Sequence, residues 1–273
     1  MQAAIFSRTY AAKGEAVFAA IKADGFSATQ LNLLSLGLES LPAALLEDVV
    51  LNAKAAALRH GVALVALSGT YNMAHPDLEY RKAQRAKFAN VMKAATLMDI
   101  SVVTLCTGSR DANNMWAYHA ENSSPKAWRD FRVELDAVLA IAGELTLAIE
   151  PEPGNVICDA KAARALLDDV GSPHLKIILD AANLLTSETL QFQHQIMADA
   201  FNLLGGDLVL AHAKDIDAGG KVVAPGCGAV DLVAFINGLK KVSLKGAVVA
   251  HGFAENDAAS AEKYLTQVLS LQI

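Results

Sequence analysis

Short apolar segments recur along the whole chain, and longer amphipathic stretches separate them. Eight such segments are present, and their ends follow one another at intervals of about 30 to 40 residues, the length of one strand–helix unit. Most of them are continuously apolar rather than alternating, which is typical of parallel strands covered on both faces. In chain order they are AAIF, QLNLL, VALVALSG, SVVTLCTG, LTLAIEPE, LKIILDAAN, DLVLAHAKD and GAVVAHGF.

The stretches between these segments carry the start and stop signals of helices. Ser124 followed by Pro125 predicts the N-terminus of a helix, and Gly143 predicts its end. Asp159 and Gly171 bound the next predicted helix in the same way. Each apolar segment is therefore followed by a helix before the next segment begins.

Eight strand–helix units predict a (β/α)8 TIM barrel formed by one domain over residues 1–273. A doubly wound sheet is the alternative. It would usually carry a glycine-rich phosphate turn after the first strand, and the segment IFSRTYAAKG contains no such turn. No linker or shift in composition divides the chain.

Composition and charge narrow the classes of partner. The formal charge of −6 and the lack of a basic run argue against nucleic acid. The three cysteines are few and far apart, which argues against a disulfide framework. We find neither a signal-peptide core nor an apolar run long enough to cross a membrane. We therefore expect a cytoplasmic protein with no membrane partner, and the sequence leaves a homo-oligomer open.

Polar side chains end four consecutive predicted strands: Glu150, Asp180, His212 and His251. In a (β/α)8 barrel the carboxyl ends of the strands carry the chemistry, and neighbouring strands lie about 4.8 Å apart. Two carboxylates and two imidazoles are a mixed donor set suited to one divalent ion, Mn, Zn, Co or Mg. The alternative is that each carboxylate is a helix cap or a surface group and each histidine is bonded within the core.

A bound cation also explains why a buried strand ends in a carboxylate at Glu150, since an uncompensated buried charge is costly. Glu152 lies beyond Pro151 and faces either the pocket or water. Glu255, four residues after His251, is open to three readings: a ligand, a base or a loop carboxylate.

The loops after the third, fourth and seventh strands carry further candidates. Asn72 and His75 lie in the first of these loops, and Arg110 and Trp116 lie in the second, which is long enough to cover a pocket. Arg110 suits a carboxylate or phosphate of a substrate, or else a salt bridge within its loop. Trp116 is expected to wall the pocket. Lys214 either contacts the substrate or pairs with a neighbouring acid.

Taken together, these segments resemble the xylose-isomerase-like TIM barrels, also called sugar phosphate isomerases/epimerases, over nearly the whole chain. The resemblance rests on the order and spacing of SGTYNMAHPD, LCTGSRD, AIEPEPGN, ILDAANLL, AHAKDID, PGCGAVD and VVAHGFAEND. Members typically bind one divalent ion through a glutamate, an aspartate, a histidine and a second glutamate on strands five to eight. The resemblance places the first three of these roles on Glu150, Asp180 and His212. His251 replaces the usual fourth ligand, and Asn183 replaces a histidine that often follows the aspartate.

The resemblance implies a metal-dependent isomerase or epimerase that acts on a small sugar, a sugar phosphate or a related polyhydroxy-ketone through an enediolate. Glu150 and His251 would exchange the proton, and Lys214 would stabilise negative charge. The predicted substrate-binding residues are Asn72, His75, Arg110, Trp116, Glu152, Asn183 and Glu255. Two alternatives stay open: a metal-dependent dehydratase of a sugar-acid-like substrate held by Arg110, and a non-catalytic sugar-binding barrel.

Overall fold

Eight parallel strands of three to six residues close on themselves, because each strand pairs with a neighbour on both sides. The computed structural model describes residues 1–271. The strands of the barrel are β1 (Ala3–Phe6), β2 (Ala28–Leu31), β3 (Ala63–Ser68), β4 (Val102–Cys106), β5 (Thr146–Glu150), β6 (Leu175–Asp180), β7 (Leu208–Ala213) and β10 (Val248–Ala250). The order around the barrel follows the chain, and β10 closes it against β1. The predicted (β/α)8 barrel is confirmed.

Eight helices separate and cover these strands. They are α1 (Glu15–Ala23), α2 (Glu47–His60), α3 (Leu78–Leu97), α4 (Pro125–Leu139), α5 (Ala160–Val170), α6 (Gln193–Leu204), α7 (Leu232–Lys241) and α8 (Ala258–Ser270). The predicted N-caps are confirmed, since the side chain of Ser124 accepts from the Ala127 N–H and that of Asp159 from the Ala162 N–H. Gly171 ends α5 as predicted, but the predicted end of α4 at Gly143 is wrong, since that helix ends at Leu139. Within residues 1–271, no helix is long and apolar enough to cross a membrane.

Alternate residues of each strand face two different apolar regions. One set packs outward against the helices, as Ile149 of β5 does. The other set fills the interior of the barrel and consists mostly of small or branched residues, namely Ala4, Ala28, Ala66, Val102, Ala148, Ile178, Leu210, Ala247 and Val249. Strand residues alternate between two faces with a period of two, so the residue two positions after each interior one points toward the mouth.

The second strand is shorter than the apolar segment QLNLL suggests. It ends at Leu31, and the next residues form a 3-10 helix, Leu33–Leu36. The side chain of Asn32 accepts from the Leu34 N–H and so begins this helical turn. Asn32, in the middle of the segment, is the residue of the sequence that indicates this early end of the strand. An asparagine side chain bonds nearby backbone N–H groups and so competes with the pairing of the strand.

A two-stranded antiparallel hairpin, β8 (Asp215–Ile216) and β9 (Val222–Val223), follows β7 at the mouth of the barrel. The carboxylate of Asp215 is fully buried and accepts from four backbone N–H groups, those of Ile216, Gly226, Gly228 and Val230. Gly228 must lack a Cβ, because one would overlap this carboxylate. Asp215 therefore fixes the loop that runs from the hairpin to α7.

We predict that Asp215→Ala lowers the free energy of unfolding by about 2–4 kcal/mol, because four N–H groups, two of them in buried hydrogen bonds, lose their acceptor. Urea unfolding followed by circular dichroism measures this change. Asp217→Ala is the matched control: its carboxylate accepts only from Gly219 and Lys221 in the exposed turn of the hairpin. We expect a loss of less than about 1 kcal/mol there. Equal losses in the two variants would contradict the role assigned to Asp215.

Candidate metal centre

The period of the strands places a polar layer directly above the apolar interior of the barrel. In four neighbouring strands an interior residue is followed, two positions later, by a ligand-type side chain at the mouth. The pairs are Ala148 and Glu150, Ile178 and Asp180, Leu210 and His212, and Val249 and His251. The predicted convergence of these four side chains is thus a direct consequence of strand register.

The four side chains form a tight, buried cluster. One ligand atom of each lies within 4.8 Å of the corresponding atoms of the other three. The Nδ1 atom of His212 lies 3.0 Å from Oε1 of Glu150, and Nε2 of His251 lies 3.0 Å from Oδ2 of Asp180. Asp180 is only 1% exposed and His212 only 4%, so bulk water solvates these charges poorly.

A hydrogen bond to Gln30 fixes which nitrogen of His212 faces the cluster. Nε2 of His212 lies 2.8 Å from Oε1 of Gln30, while the Gln30 amide donates from Nε2 to Oγ1 of Thr104 at 3.3 Å. The imidazole therefore donates to Gln30 from Nε2, which leaves a lone pair on Nδ1. Within residues 1–271 the buried Nδ1 has no hydrogen-bond partner, because its approach to Glu150 is poorly aligned.

The charges of the cluster favour ionised carboxylates. Burial opposes ionisation of Asp180, but Lys214 and His251 more than offset it and hold the pKa of Asp180 well below its ordinary value. Burial likewise opposes ionisation of Glu150, yet its pKa is lowered by His212. Burial and the charge of His212 lower the pKa of His251, which keeps that imidazole neutral near pH 7.

Two buried carboxylates, an unpartnered imidazole nitrogen and a neutral imidazole fit a single divalent ion. The pKa of His212 is raised, since Glu150 more than offsets the effect of burial. Without an ion, protonated His212 is therefore the cationic partner of Glu150. A divalent ion bound at Nδ1 of His212 would take the place of the proton on that nitrogen.

Lys214 and Asn183 form a polar bridge beside the cluster. The Lys214 ammonium donates to Oδ1 of Asn183 at 2.6 Å and lies 3.4 Å from Oδ2 of Asp180. The Asn183 amide donates to Oε1 of Glu150 at 3.0 Å. Asn183 therefore orients Glu150, and it is not among the residues that line the cavity above the cluster. Its predicted role as a direct substrate contact stays a prediction.

A cavity of about 490 Å³ opens above the cluster at the mouth of the barrel. Its lining includes six of the twelve predicted site residues, namely Glu150, Glu152, His212, Lys214, His251 and Trp116. Trp116 is 52% exposed and lies on the rim. The Asn155 side chain donates to the Met115 carbonyl at 2.9 Å and holds this part of the rim against the loop after β5.

Four predicted substrate-binding residues lie outside this cavity, and their hydrogen bonds explain why. Arg110 is buried and donates to Asp130 at 2.9 Å and to the Ala74 carbonyl. Asn72 accepts from the Ser109 N–H, and His75 lies 3.2 Å from the Ala112 carbonyl. Glu255 accepts from the Ala11 N–H at 2.9 Å. All four stabilise loops, and their assignment to substrate binding stays a prediction.

Several cavity residues were not singled out from the sequence, among them Arg8, Gln30, Ser68 and Thr104. Gln30, Ser68 and Thr104 each follow an interior residue by two positions, as the ligand candidates do. Counting two residues onward from the interior residue of every strand would have found these three. Arg8 lies beyond β1 in a short 3-10 helix, Ser7–Thr9, and no such count reaches it.

The sequence also matches a known protein family. The sequence profile of the xylose isomerase-like TIM barrel family matches residues 18–270. The chain belongs to this family. No curated protein sequence matches it.

Solved structures with the same fold include several epimerases. D-psicose 3-epimerase from Clostridium cellulolyticum H10, solved with D-tagatose, is 14% identical at a TM-score of 0.72, over 99% of this chain and 100% of that one. The 3-keto-D-glucoside 4-epimerase YcjR from E. coli is 18% identical at a TM-score of 0.75, over 99% and 100%. The IolI protein, solved with a zinc atom, is 15% identical at a TM-score of 0.70, over 99% and 98%. Identities this low show a shared fold.

Glu152 provides a test of the electrostatics of the cavity. Burial and then the charge of Glu150 raise its pKa from 4.5 to about 7. A carboxyl group with a raised pKa costs the folded state stability as pH rises from its unfolded pKa through its folded one. In metal-free protein, Glu152→Gln should therefore be more stable than the wild type by about 1–3 kcal/mol at pH 8.

At pH 5 the difference should fall to less than about 1 kcal/mol, because the folded wild type is then protonated at Glu152 and part of the unfolded chain is protonated as well. Urea titrations of chelator-treated protein at the two pH values measure the difference. Glu144→Gln is the control, since Glu144 is exposed at the opposite end of β5. A Glu152→Gln variant that tracks the wild type at both pH values would show that Glu152 titrates normally.

Proposed function

We propose that the protein is a metal-dependent isomerase or epimerase of a small sugar, a sugar phosphate or a related polyhydroxy-ketone. One observation carries the proposal: Glu150, Asp180, His212 and His251 converge within 4.8 Å below a cavity of about 490 Å³. A cavity of this size is in the range of small-molecule sites. The epimerases among the structures of the same fold support the choice of chemistry.

The metal would be held by the two carboxylates and by Nδ1 of His212, and His251 would serve either as a fourth ligand or as a proton acceptor beside it, because a neutral imidazole has one lone pair. The zinc atom in the structure of IolI, which has the same fold, supports a divalent ion in this protein. When bound, such an ion polarises a substrate carbonyl and acidifies the neighbouring C–H. Gln30 prepares the ligand set in advance, because its hydrogen bond fixes the tautomer of His212.

The residues of the cavity would move one proton. Nε2 of His251 donates to the Asp180 carboxylate at 3.0 Å, which leaves the lone pair of the neutral imidazole on Nδ1 as a proton acceptor. In an isomerisation one base, Glu150 or His251, would take the proton from the carbon next to the carbonyl and return it to the neighbouring carbon of the enediolate. In an epimerisation one of the two would take a proton while the other, entering the step protonated, returns one from the opposite face. The Lys214 ammonium lines the same cavity and would stabilise the negative charge that develops on oxygen.

The dehydratase alternative rested on Arg110 as the residue that holds a carboxylate. Arg110 instead pairs with Asp130 outside the cavity, which removes that support. The alternative of a sugar-binding barrel without activity rested on His251 in place of a glutamate. A neutral imidazole beside a carboxylate is a competent acid–base group, so this replacement does not argue against catalysis.

We predict that the wild type purified with Mn²⁺ or Zn²⁺ holds one divalent ion per chain. Glu150→Gln and Asp180→Asn should each lose most of it, because each removes a charged ligand from a small set. Metal analysis by mass spectrometry after gel filtration measures the content, and circular dichroism checks the fold. Glu144→Gln should keep the ion. A metal-free wild type, or variants that keep the ion, would contradict the proposed metal centre.

A second prediction separates the reactions. The metal-loaded wild type is incubated in D₂O with D-fructose, D-tagatose and D-psicose. An isomerase or epimerase yields an isomer of the substrate that carries solvent deuterium, whereas a dehydratase yields a product that has lost one water. We expect His251→Gln to slow isomer formation by about 10²–10⁴-fold, the usual contribution of a general acid–base group.

His174→Gln is the control for this experiment, since His174 directly precedes β6 at the opposite end of the barrel. It should match the wild type. Binding of the ketoses without any product would favour the sugar-binding barrel. Loss of water from a substrate would favour the dehydratase.

A further inference from the structure

Arg8 is a cation on the side of the cavity that lies away from the metal centre. It sits in the 3-10 helix Ser7–Thr9 directly after β1, and its side chain is exposed and lines the cavity. Within residues 1–271 it makes no hydrogen bond or ion pair, although most arginines of the barrel's outer surface are paired with carboxylates, as Arg59 is with Glu15.

The closed order of the strands gives Arg8 its position relative to the acids. Four steps separate β1 from β5 in either direction around the barrel, so the two strands are diametrically opposed. Glu150 ends β5, and Glu152 follows it into the cavity. The guanidinium of Arg8 therefore faces the carboxylates across the mouth and is not paired with them.

The other cation of the cavity is already engaged. Lys214 donates to Asn183 at 2.6 Å and lies 3.4 Å from Asp180. Near β1, Glu255 is an acid within reach of the loop, but it accepts from the Ala11 N–H and does not line the cavity. No carboxylate that lines the cavity lies on the β1 side, since Glu150 and Glu152 both belong to the β5 side.

Asn32 adds a second free donor on the same side. It is 5% exposed and lines the cavity. Its Oδ1 atom accepts from the Leu34 N–H and from Oγ of Ser40, whereas its Nδ2 group has no hydrogen-bond partner in the described part of the chain. The Asn32 N–H donates to Oγ of Ser7 at 2.9 Å, which holds this residue beside the loop that carries Arg8.

We propose that Arg8 and Asn32 form a subsite for an anionic group, a carboxylate or a phosphate, at the end of the substrate remote from the metal centre. A planar guanidinium and an amide N–H₂ are both donors, and no acceptor among the described residues 1–271 satisfies them. A substrate with an acceptor-rich, negatively charged end would supply what they lack. This inference rests on the proposed function and narrows its substrate class to acidic or phosphorylated polyhydroxy-ketones.

The test uses three ketohexoses that differ only at carbon 6: D-fructose, D-fructose 6-phosphate and D-fructuronate. Isothermal titration of the Mn²⁺-loaded protein gives the Kd of each. We expect at least one charged ketohexose to bind about tenfold or more tightly than D-fructose, because hydrogen bonds to a charged group contribute binding free energy of this order. The preferred one distinguishes phosphate from carboxylate.

Arg8→Gln should remove most of this ratio of Kd values, while Arg8→Lys should keep part of it, because an ammonium retains the charge but not the planar fork. Arg129→Gln makes the same change of charge at an exposed position on α4 and should keep the full ratio. Circular dichroism and metal content verify that each variant is folded and loaded.

Three results would overturn the inference: no preference for either charged ketohexose in the wild type, a preference that survives Arg8→Gln, or an equal loss in Arg129→Gln. If D-fructose is nonetheless isomerised or epimerised, the proposed function stands without the anion subsite. A charge preference that depends on Arg8, with no isomer formed from any of the three, would support the subsite and count against the isomerase.

Discussion

Repulsion between Glu150 and Asp180 is the interaction on which the organisation of the barrel mouth depends. Both carboxylates are buried, both are held in their ionised form, and their ligand atoms lie within 4.8 Å of each other. Two like charges at this distance and depth are tolerated only with positive charge between or beside them. Lys214 and the two histidines provide part of that compensation in the chain itself. A divalent ion would complete it.

The groups that hold the cluster in place come from distant parts of the sequence. Gln30 on β2 bonds His212 on β7 across the mouth, and Asn183 after β6 bonds both Glu150 and Lys214. The bond between Gln30 and His212 joins strands that are not neighbours and exists only once the barrel is closed, whereas the bonds of Asn183 join the ends of three neighbouring strands. The orientation of the ligands therefore depends on the whole barrel, and destabilising one strand would disturb the geometry of the site.

The sequence predicted the parts of this protein that depend on periodicity. Continuous apolar segments at intervals of one strand–helix unit gave the barrel, and polar residues at the ends of four of them gave the ligand set. Loop residues were predicted less well, because their residue types are ambiguous. Arg110 and His75 have the chemistry of substrate ligands, but they bond to Asp130 and to the carbonyl of Ala112, partners that only the folded loops bring near. Conversely, Gln30 gave no signal by residue type and was identifiable only by its register.

His251 changes the charge of the ligand set in a way that bears on its chemistry. The glutamate that relatives typically place on this strand would give three carboxylates and a net charge of −3, whereas Glu150 and Asp180 with two neutral imidazoles give −2. A ligand charge of −2 would balance the +2 charge of a divalent ion. These ligands would therefore weaken the positive field that the ion presents to a substrate less than a ligand charge of −3 would. An imidazole that burial and His212 keep neutral is a base near pH 7 as long as its one lone pair does not bind the ion. The replacement thus exchanges a charged ligand for a group that acts either as a neutral ligand or as a proton acceptor. The unpaired cation across the cavity, Arg8, is consistent with a substrate that brings its own negative charge.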